Sequence, residues 1–366
     1  MKVKYNICAI IILIFTVSCF AEIKTGLIEL PPGFSLEVYT DEVENARGMA
    51  LGGDGTLYAG SRKSGNVYAI LDVDNDYKPE KTVKILSGLT MPVGVDIYRG
   101  DLYVSEVSRI LRIKDIRNNL IEPETEIISD RYPSDMAHGW KFIKIGPDNK
   151  LYVPVGAPCN VCYKENEAYA TITRMNIDGS DFEIFAKGVR NTVGFDWHPE
   201  TGILWFTDNG RDRMGDNKPP DELNKAEKSG LHFGFPFMHG TSIRDPEYWD
   251  YYTKEMKLRV PEAELGPHVA ALGMRFYTGD MFPNEYKNDI FIAEHGSWNR
   301  SSKIGYRITR VKLKKNKAVS YKVFASGWKQ GESAWGRPVD VQVARDGSMF
   351  ISDDKAGAIY RIVYEK

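Results

Sequence analysis

One pattern governs what this chain can fold into: a strand-turn-strand unit that returns six times. Each copy reads as an apolar alternating strand, a turn rich in Gly, Asp or Asn, a strand of the type Leu-Tyr-x-Gly/Ser, then a further turn and a short strand. The copies centre on Leu57-Tyr58, Leu102-Tyr103, Leu151-Tyr152, Leu204-Trp205, Ile290-Phe291 and Met349-Phe350. Turns such as Asp54-Gly55, Asp148-Asn149 and Asp346-Gly347 precede them and suit tight hairpins that need positive φ. The segments Asn66–Ile70, Ser108–Ile113 and Ala358–Ile362 close units with period-two alternation. The centres lie 45, 49, 53, 86 and 59 residues apart. Four-stranded propeller blades of about 40–50 residues match that spacing.

The expectation is therefore an all-β chain, a six-bladed β-propeller with a long loop insertion after the fourth blade core. The long interval runs from about Asp208 to Gly273, and long inserts in compact repeats usually carry function. The strand around Phe34–Tyr39 is expected to close the ring on the last blade. A pair of β-sandwiches is the structural alternative. No linker divides the chain, so residues 22–366 read as one domain.

Charge narrows the partners. The 48 Lys and Arg against 50 Asp and Glu leave a formal charge of −2, with no basic excess to grip a phosphate backbone, so nucleic acid is not expected. Residues 1–21 read as a signal peptide: Lys2 and Lys4 precede an apolar run from Ile7 to Val17, too short to span a bilayer comfortably. A retained anchor, or a lipid on Cys19 after cleavage at Ser18, are the alternatives. The processed chain is expected to be secreted or periplasmic, with no transmembrane span. Cys159 and Cys162 then remain, as a structural disulfide, a redox pair or a metal site.

None of the histidines forms a zinc-hydrolase helix motif, Cys162 is followed by Tyr163 rather than the His of haem attachment, and neither a Gly-x-Ser-x-Gly elbow nor a phosphate loop occurs. Three stretches flank strands where propeller loops face the central channel: Met136–Trp140, Gly188–Asn191 with Thr207–Asp212, and His295–Arg300 with Trp335–Pro338. They offer an imidazole base, guanidinium forks for carboxylates and quinone oxygens, and loop carbonyls suited to calcium.

At these residues the chain resembles the glucose/sorbosone dehydrogenase family, secreted six-bladed propellers that use pyrroloquinoline quinone (PQQ). The matching segments are Leu30–Phe34, His138 ahead of Gly146-Pro-Asp148, Gly188–Asn191, Asp208–Arg211 with Pro220–Asn224, Phe233–Pro236, Pro267-His268, His295–Arg300, and Gly336–Asp340 with Asp353-Asp354. The sorbosone dehydrogenase-like branch looks closer than the soluble glucose dehydrogenase branch.

The resemblance implies roles. His138 matches the catalytic base and Arg190 the residue that stabilises charge on the quinone oxygen. Asn191, Asn209, His268, Arg300 and Arg337 fall at cofactor-binding positions. Gly210 and Arg211 match residues whose main-chain oxygens hold calcium, and Asp221 and Glu222 sit where relatives hold a further calcium. A small sugar or related aldehyde would be the substrate and a separate molecule the electron acceptor, since no haem segment is present. One departure concerns the base: an Asp that orients it in soluble glucose dehydrogenases is replaced by Ala157, so another partner must fix the His138 tautomer. A non-catalytic sugar- or protein-binding propeller, or a calcium-dependent lactonase, are the alternative functions.

Overall fold

The structure is a computed structural model that describes residues 22–365 except position 165. The expected leader, residues 1–21 with Cys19, lies outside the described residues. Among these, no helix is long and apolar enough to cross a membrane.

Six antiparallel sheets stand around a common axis. Blade 1 comprises Ala46–Leu51, Leu57–Ser61, Val67–Leu71 and Lys81–Leu86; blade 2 comprises Val95–Tyr98, Asp101–Ser105, Ile110–Ile113 and Glu126–Ser129. Blade 3 uses Lys144–Ile145, Lys150–Val155, Thr171–Asn176 and Glu183–Lys187, and blade 4 uses Phe195–Trp197, Leu204–Asp208, Pro220–Ala226 and Ala263–Pro267. Blade 5 follows with Ala271–Phe276, Ile290–Glu294, Arg307–Lys314 and Lys317–Ala325. Blade 6 takes Pro338–Val343, Met349–Asp353 and Ala358–Tyr364 from the C-terminus, and its outer strand, Phe34–Thr40, from the N-terminus. Every repeat centre read from the sequence falls on a second strand.

Ring closure is the antiparallel pairing of Phe34 with Tyr364 and Leu36 with Ile362. It completes the last blade as a four-stranded sheet, so that the two ends of the chain close the ring. The insertion lies inside blade 4, between its third and outer strands. Its Leu231–His232 segment returns as a parallel strand on the outer edge of blade 3, and its Met238–His239 and Ile243–Arg244 segments form a small hairpin.

The blades are fastened in pairs by a device visible in the repeat. Asp96, Asp196 and Asp340, on the inner strands of blades 2, 4 and 6, accept from Ile145, Phe276 and Met49 N–H of the following blade at 2.6, 3.1 and 2.9 Å. On the second strands of the same three blades, Ser105, Thr207 and Ser352 donate to the carbonyls of Lys141, Leu272 and Arg47 at 2.6, 2.6 and 2.7 Å. A buried hydroxyl or carboxylate left without such a partner would cost about 1–3 kcal/mol, so these residues also specify the neighbouring blade. Apolar sheet faces fill the remaining space; Phe142, Tyr152, Phe195 and Phe206 interlock between blades 3 and 4. Each such side chain contributes about 1.5–3 kcal/mol on burial.

Candidate active site

A cavity of about 370 Å³ opens at one end of the axis. It is built from the connections between blades and from the loops that follow second strands. His138, Arg190, Asn191, Asn209, Gly210, Asp221, His268 and Arg337 line it, as do Asp212 and His295 from the channel-facing stretches and Arg47 and Arg62, which the sequence reading passed over.

His138 precedes blade 3 with φ +49, a left-handed conformation that is uncommon outside glycine. Gly156 makes room for it, since a Cβ there would stand 2.6 Å from His138 Cβ and 2.7 Å from its carbonyl oxygen. The missing orienting partner is the backbone of the residue that replaced the carboxylate. His138 Nδ1 lies 2.7 Å from the Ala157 carbonyl. A carbonyl only accepts, so Nδ1 carries the proton and Nε2 keeps its lone pair. Burial, then the nearby Arg190 and Arg62 charges, lower the imidazole pKa to about 4, against the Ala157 bond. The ring is therefore neutral at neutral pH, and Trp140 meets it edge-on with centroids 5.6 Å apart.

Arg190 is buried and held on all three guanidinium nitrogens. Nε donates to Asn160 O at 2.8 Å, Nη1 to Asn209 O at 3.1 Å, and Nη2 to Asn160 Oδ1 and Asp212 Oδ2 at 3.1 and 3.3 Å. Its backbone N–H and that of Asn191 are gripped by Asp208 at 2.8 and 2.6 Å. Asn160 sits inside the loop closed by the Cys159–Cys162 disulfide. Asn209 spans to blade 5 by donating to Ala271 O at 2.8 Å. Asp221 receives Gly210 and Ala271 N–H at 2.9 and 3.1 Å.

The opposite wall is charged differently. Asp354 stands under Arg47, Arg337 and His295, at 2.5, 3.0 and 3.0 Å. Burial opposes its ionisation, yet Arg47 and His295 hold its carboxyl well below the usual range. The alignment is poor: Arg47 Nε, Arg337 Nε and Asp354 Oδ2 are buried without a hydrogen bond. Arg62 lies over the Trp140 ring, 4.0 Å from its centroid. Burial and the Arg47 charge lower its pKa to about 10. Arg62 Nε and Trp140 Nε1 are buried donors without partners.

Other expected residues sit elsewhere. Arg211 turns its side chain into the insertion, pairing with Asp245 at 2.5 Å and Glu247 at 2.8 Å. Arg300 bonds to the Asp216 and Ser302 carbonyls and does not line the cavity. Glu222 accepts from Gly240 N–H at 2.6 Å and from Asn224 at 2.9 Å, and burial lifts its pKa to about 8. Asp221 and Glu222 are consecutive on a strand, so their side chains leave opposite faces. His268 donates from Nε2 to the Gly215 carbonyl at 2.9 Å at the cavity edge.

A profile of the glucose/sorbosone dehydrogenase family matches residues 105–361. The chain belongs to the glucose/sorbosone dehydrogenase family. The match runs from the second strand of blade 2 into the third strand of blade 6 and takes in His138, Arg190 and Arg337. A protein of Borreliella burgdorferi described as uncharacterized is 36% identical over 378 aligned positions, covering 99% of this chain and 97% of that one. Among solved structures, the holo form of the pyranose dehydrogenase PQQ domain from Coprinopsis cinerea superposes with a TM-score of 0.76 at 17% identity, over 92% of this chain and 97% of that one. The PQQ-bound aldose sugar dehydrogenase of Streptomyces coelicolor gives 0.65 at 19%, over 92% and 100%. A calcium structure of a Trichoderma reesei carbohydrate-active enzyme of family AA12 gives 0.77 at 16%, over 92% and 97%. At such identities the likeness is one of fold, and it places this family member on the six-bladed scaffold.

Proposed function

We propose that this protein is a PQQ- and calcium-dependent dehydrogenase that oxidises aldose sugars or related aldehydes and alcohols, with His138 as base. One observation carries the reading. A neutral imidazole with a free Nε2, fixed by the Ala157 carbonyl, stands in the same cavity as four guanidiniums.

The residues present fit such a cofactor. Arg47, Arg62 and Trp140 hold buried N–H donors with no acceptor among the described residues, which a planar, acceptor-rich tricarboxylate would satisfy. Arg62 and Arg337 would hold its carboxylates, with Asn191 and Asn209 at the flank, and Arg190 would face its reactive oxygens. Among the described residues, nothing donates to the carbonyls of Gly210 and Arg211, leaving hard oxygens for calcium. When bound, PQQ supplies the electron sink and calcium the polarising charge.

The chain supplies the rest. His138 Nε2 accepts the hydroxyl proton of the substrate, the Ala157 carbonyl holds the ring as it becomes cationic, and Arg190 offers an immobile positive charge. Electrons leave to a separate acceptor. The disulfide supports a secreted or periplasmic setting, where such bonds persist.

Reconstitution of the processed chain with calcium and PQQ, followed by dye reduction across a panel of aldoses, tests the reading. Reduction that depends on PQQ and on His138 is expected. A protein that takes up no PQQ, or hydrolyses lactones without it, would overturn it.

A further inference from the structure

Far from the cavity, the hairpin joining the third and outer strands of blade 1 runs Asp72-Val-Asp-Asn-Asp-Tyr-Lys-Pro-Glu80. Third-to-outer hairpins emerge on the face opposite the second-to-third loops that form the cavity. Acidic side chains occupy positions one, three, five and nine of this loop. Hard-cation loops use the same alternation, with a left-handed residue at position six whose N–H binds the first carboxylate. Here the sixth residue is Tyr77, with φ +65, and its N–H donates to Asp72 Oδ2 at 3.0 Å. Asp72, Asp74 and Glu80 each bring a carboxylate oxygen within 4.8 Å of the others, and among the described residues no other trio of acids, cysteines or histidines converges so closely.

Crowded surface acids alone imply no ligand. Asp72 is different, because it is only 6% exposed, and its Oδ1 is buried without a hydrogen-bond partner among the described residues. An unpartnered buried carboxylate oxygen beside two further carboxylates is costly unless a cation joins them.

We propose that this loop is a calcium site in which Asp72, Asp74 and Glu80 are the carboxylate ligands and loop carbonyls and water complete the shell. Calcium tolerates such a flexible oxygen set, whereas magnesium demands a near-ideal octahedron and keeps most of its water. The site has a structural consequence. Tyr77 accepts the Asp346 N–H at 3.0 Å, stacks under Arg361 at 4.0 Å and approaches Phe350 with centroids 6.4 Å apart, all on blade 6. A cation that fixes the loop therefore clamps blade 1 to blade 6, the blade completed by the N-terminal strand.

The test uses the processed chain without PQQ. Calcium alone is titrated calorimetrically into the wild type, Asp74→Asn, Glu80→Gln and the control Asp178→Asn, and each is melted with calcium or with chelator. Asp74 and Glu80 are exposed, so their variants should fold. The expected result is one fewer calcium bound per chain in Asp74→Asn and Glu80→Gln than in wild type and control. A calcium-dependent rise in melting temperature of roughly 2–5 °C should be lost with it. Unchanged stoichiometry in both variants would overturn the proposal, as would equal stabilisation by magnesium at the same concentration. The dehydrogenase reading is tested separately, because PQQ uptake and dye reduction in these variants should match the wild type whatever the loop binds.

Discussion

The two walls of the cavity solve opposite problems with similar residues. On the blade 3 and blade 4 side, each nitrogen of the Arg190 guanidinium group has at least one acceptor, and Asp208, Asn209 and Asp221 brace the surrounding backbone. On the blade 6 and blade 1 side, Arg47, Arg337 and His295 crowd one carboxylate, while Arg62 rests on Trp140 with its Nε unpartnered. The first wall is preorganised, so its charge is presented without rearrangement cost. The second carries donor capacity that the protein does not satisfy. The contrast teaches where chemistry and where affinity should reside: positioning on one side, anion binding on the other.

The sharpest way to break this division is His138→Ala. Turnover should fall by about 10²–10⁴, as loss of a general base implies, while PQQ affinity, read by its absorbance, stays close to wild type. Equal losses in both would move His138 to the binding wall. Next come Arg337→Ala and Arg62→Ala, expected to weaken PQQ binding about 10- to 100-fold with saturated turnover largely kept. A drop in turnover at saturating PQQ with no change in affinity would erase the distinction between the walls.

Smaller effects should follow from Asn160→Ala. It removes one acceptor of Arg190 and the N–H···O contact from Asp212 N at 2.8 Å. A loss of about 3- to 10-fold in turnover, with unchanged sugar KM, is expected from imperfect positioning. A KM effect alone would instead make the disulfide loop a substrate-binding element.

The pH response should be the mildest near neutrality. The His138 pKa of about 4 lies below that of a free imidazole, so the unfolded chain binds the extra proton between about pH 6.5 and 4 while the folded chain does not. Stability therefore falls as pH drops through that window, and this residue contributes no pH dependence above it. NMR titration of the His138 ring in the cofactor-free protein checks the value. A midpoint near 6.5 would mean that the ring is solvated and the wall looser than described.

How much of this was legible in the sequence varies by feature. The blade pattern was readable because strand alternation and turn chemistry are local, and each repeat centre lands on a second strand. His138, Arg190 and Arg337 were found because they stand beside strand starts within recognisable motifs. Arg47 and Arg62 carried a fainter signal. Arg62 directly follows the second strand of blade 1, as Asn209 follows that of blade 4 and His295 that of blade 5, so position in the repeat could have found it. What the sequence did not show is where the Arg211 and Arg300 side chains go: both motifs sit at the rim, but the insertion offers Asp245 and Glu247 to one, whose carbonyl is left open, and the Asp216 loop offers a carbonyl to the other.

By itself the sequence determined the six-bladed ring, its closure by the N-terminal strand and the chemical types gathered near the axis, since periodicity and turn residues act over a few positions. Only the tertiary structure decided which guanidiniums are spent on neighbours and which stay open, and that a backbone carbonyl orients the base. Those outcomes depend on partners distant in the chain, such as Ala157 for His138, 19 residues away, and Asp354 for Arg47, and no local pattern encodes such distances.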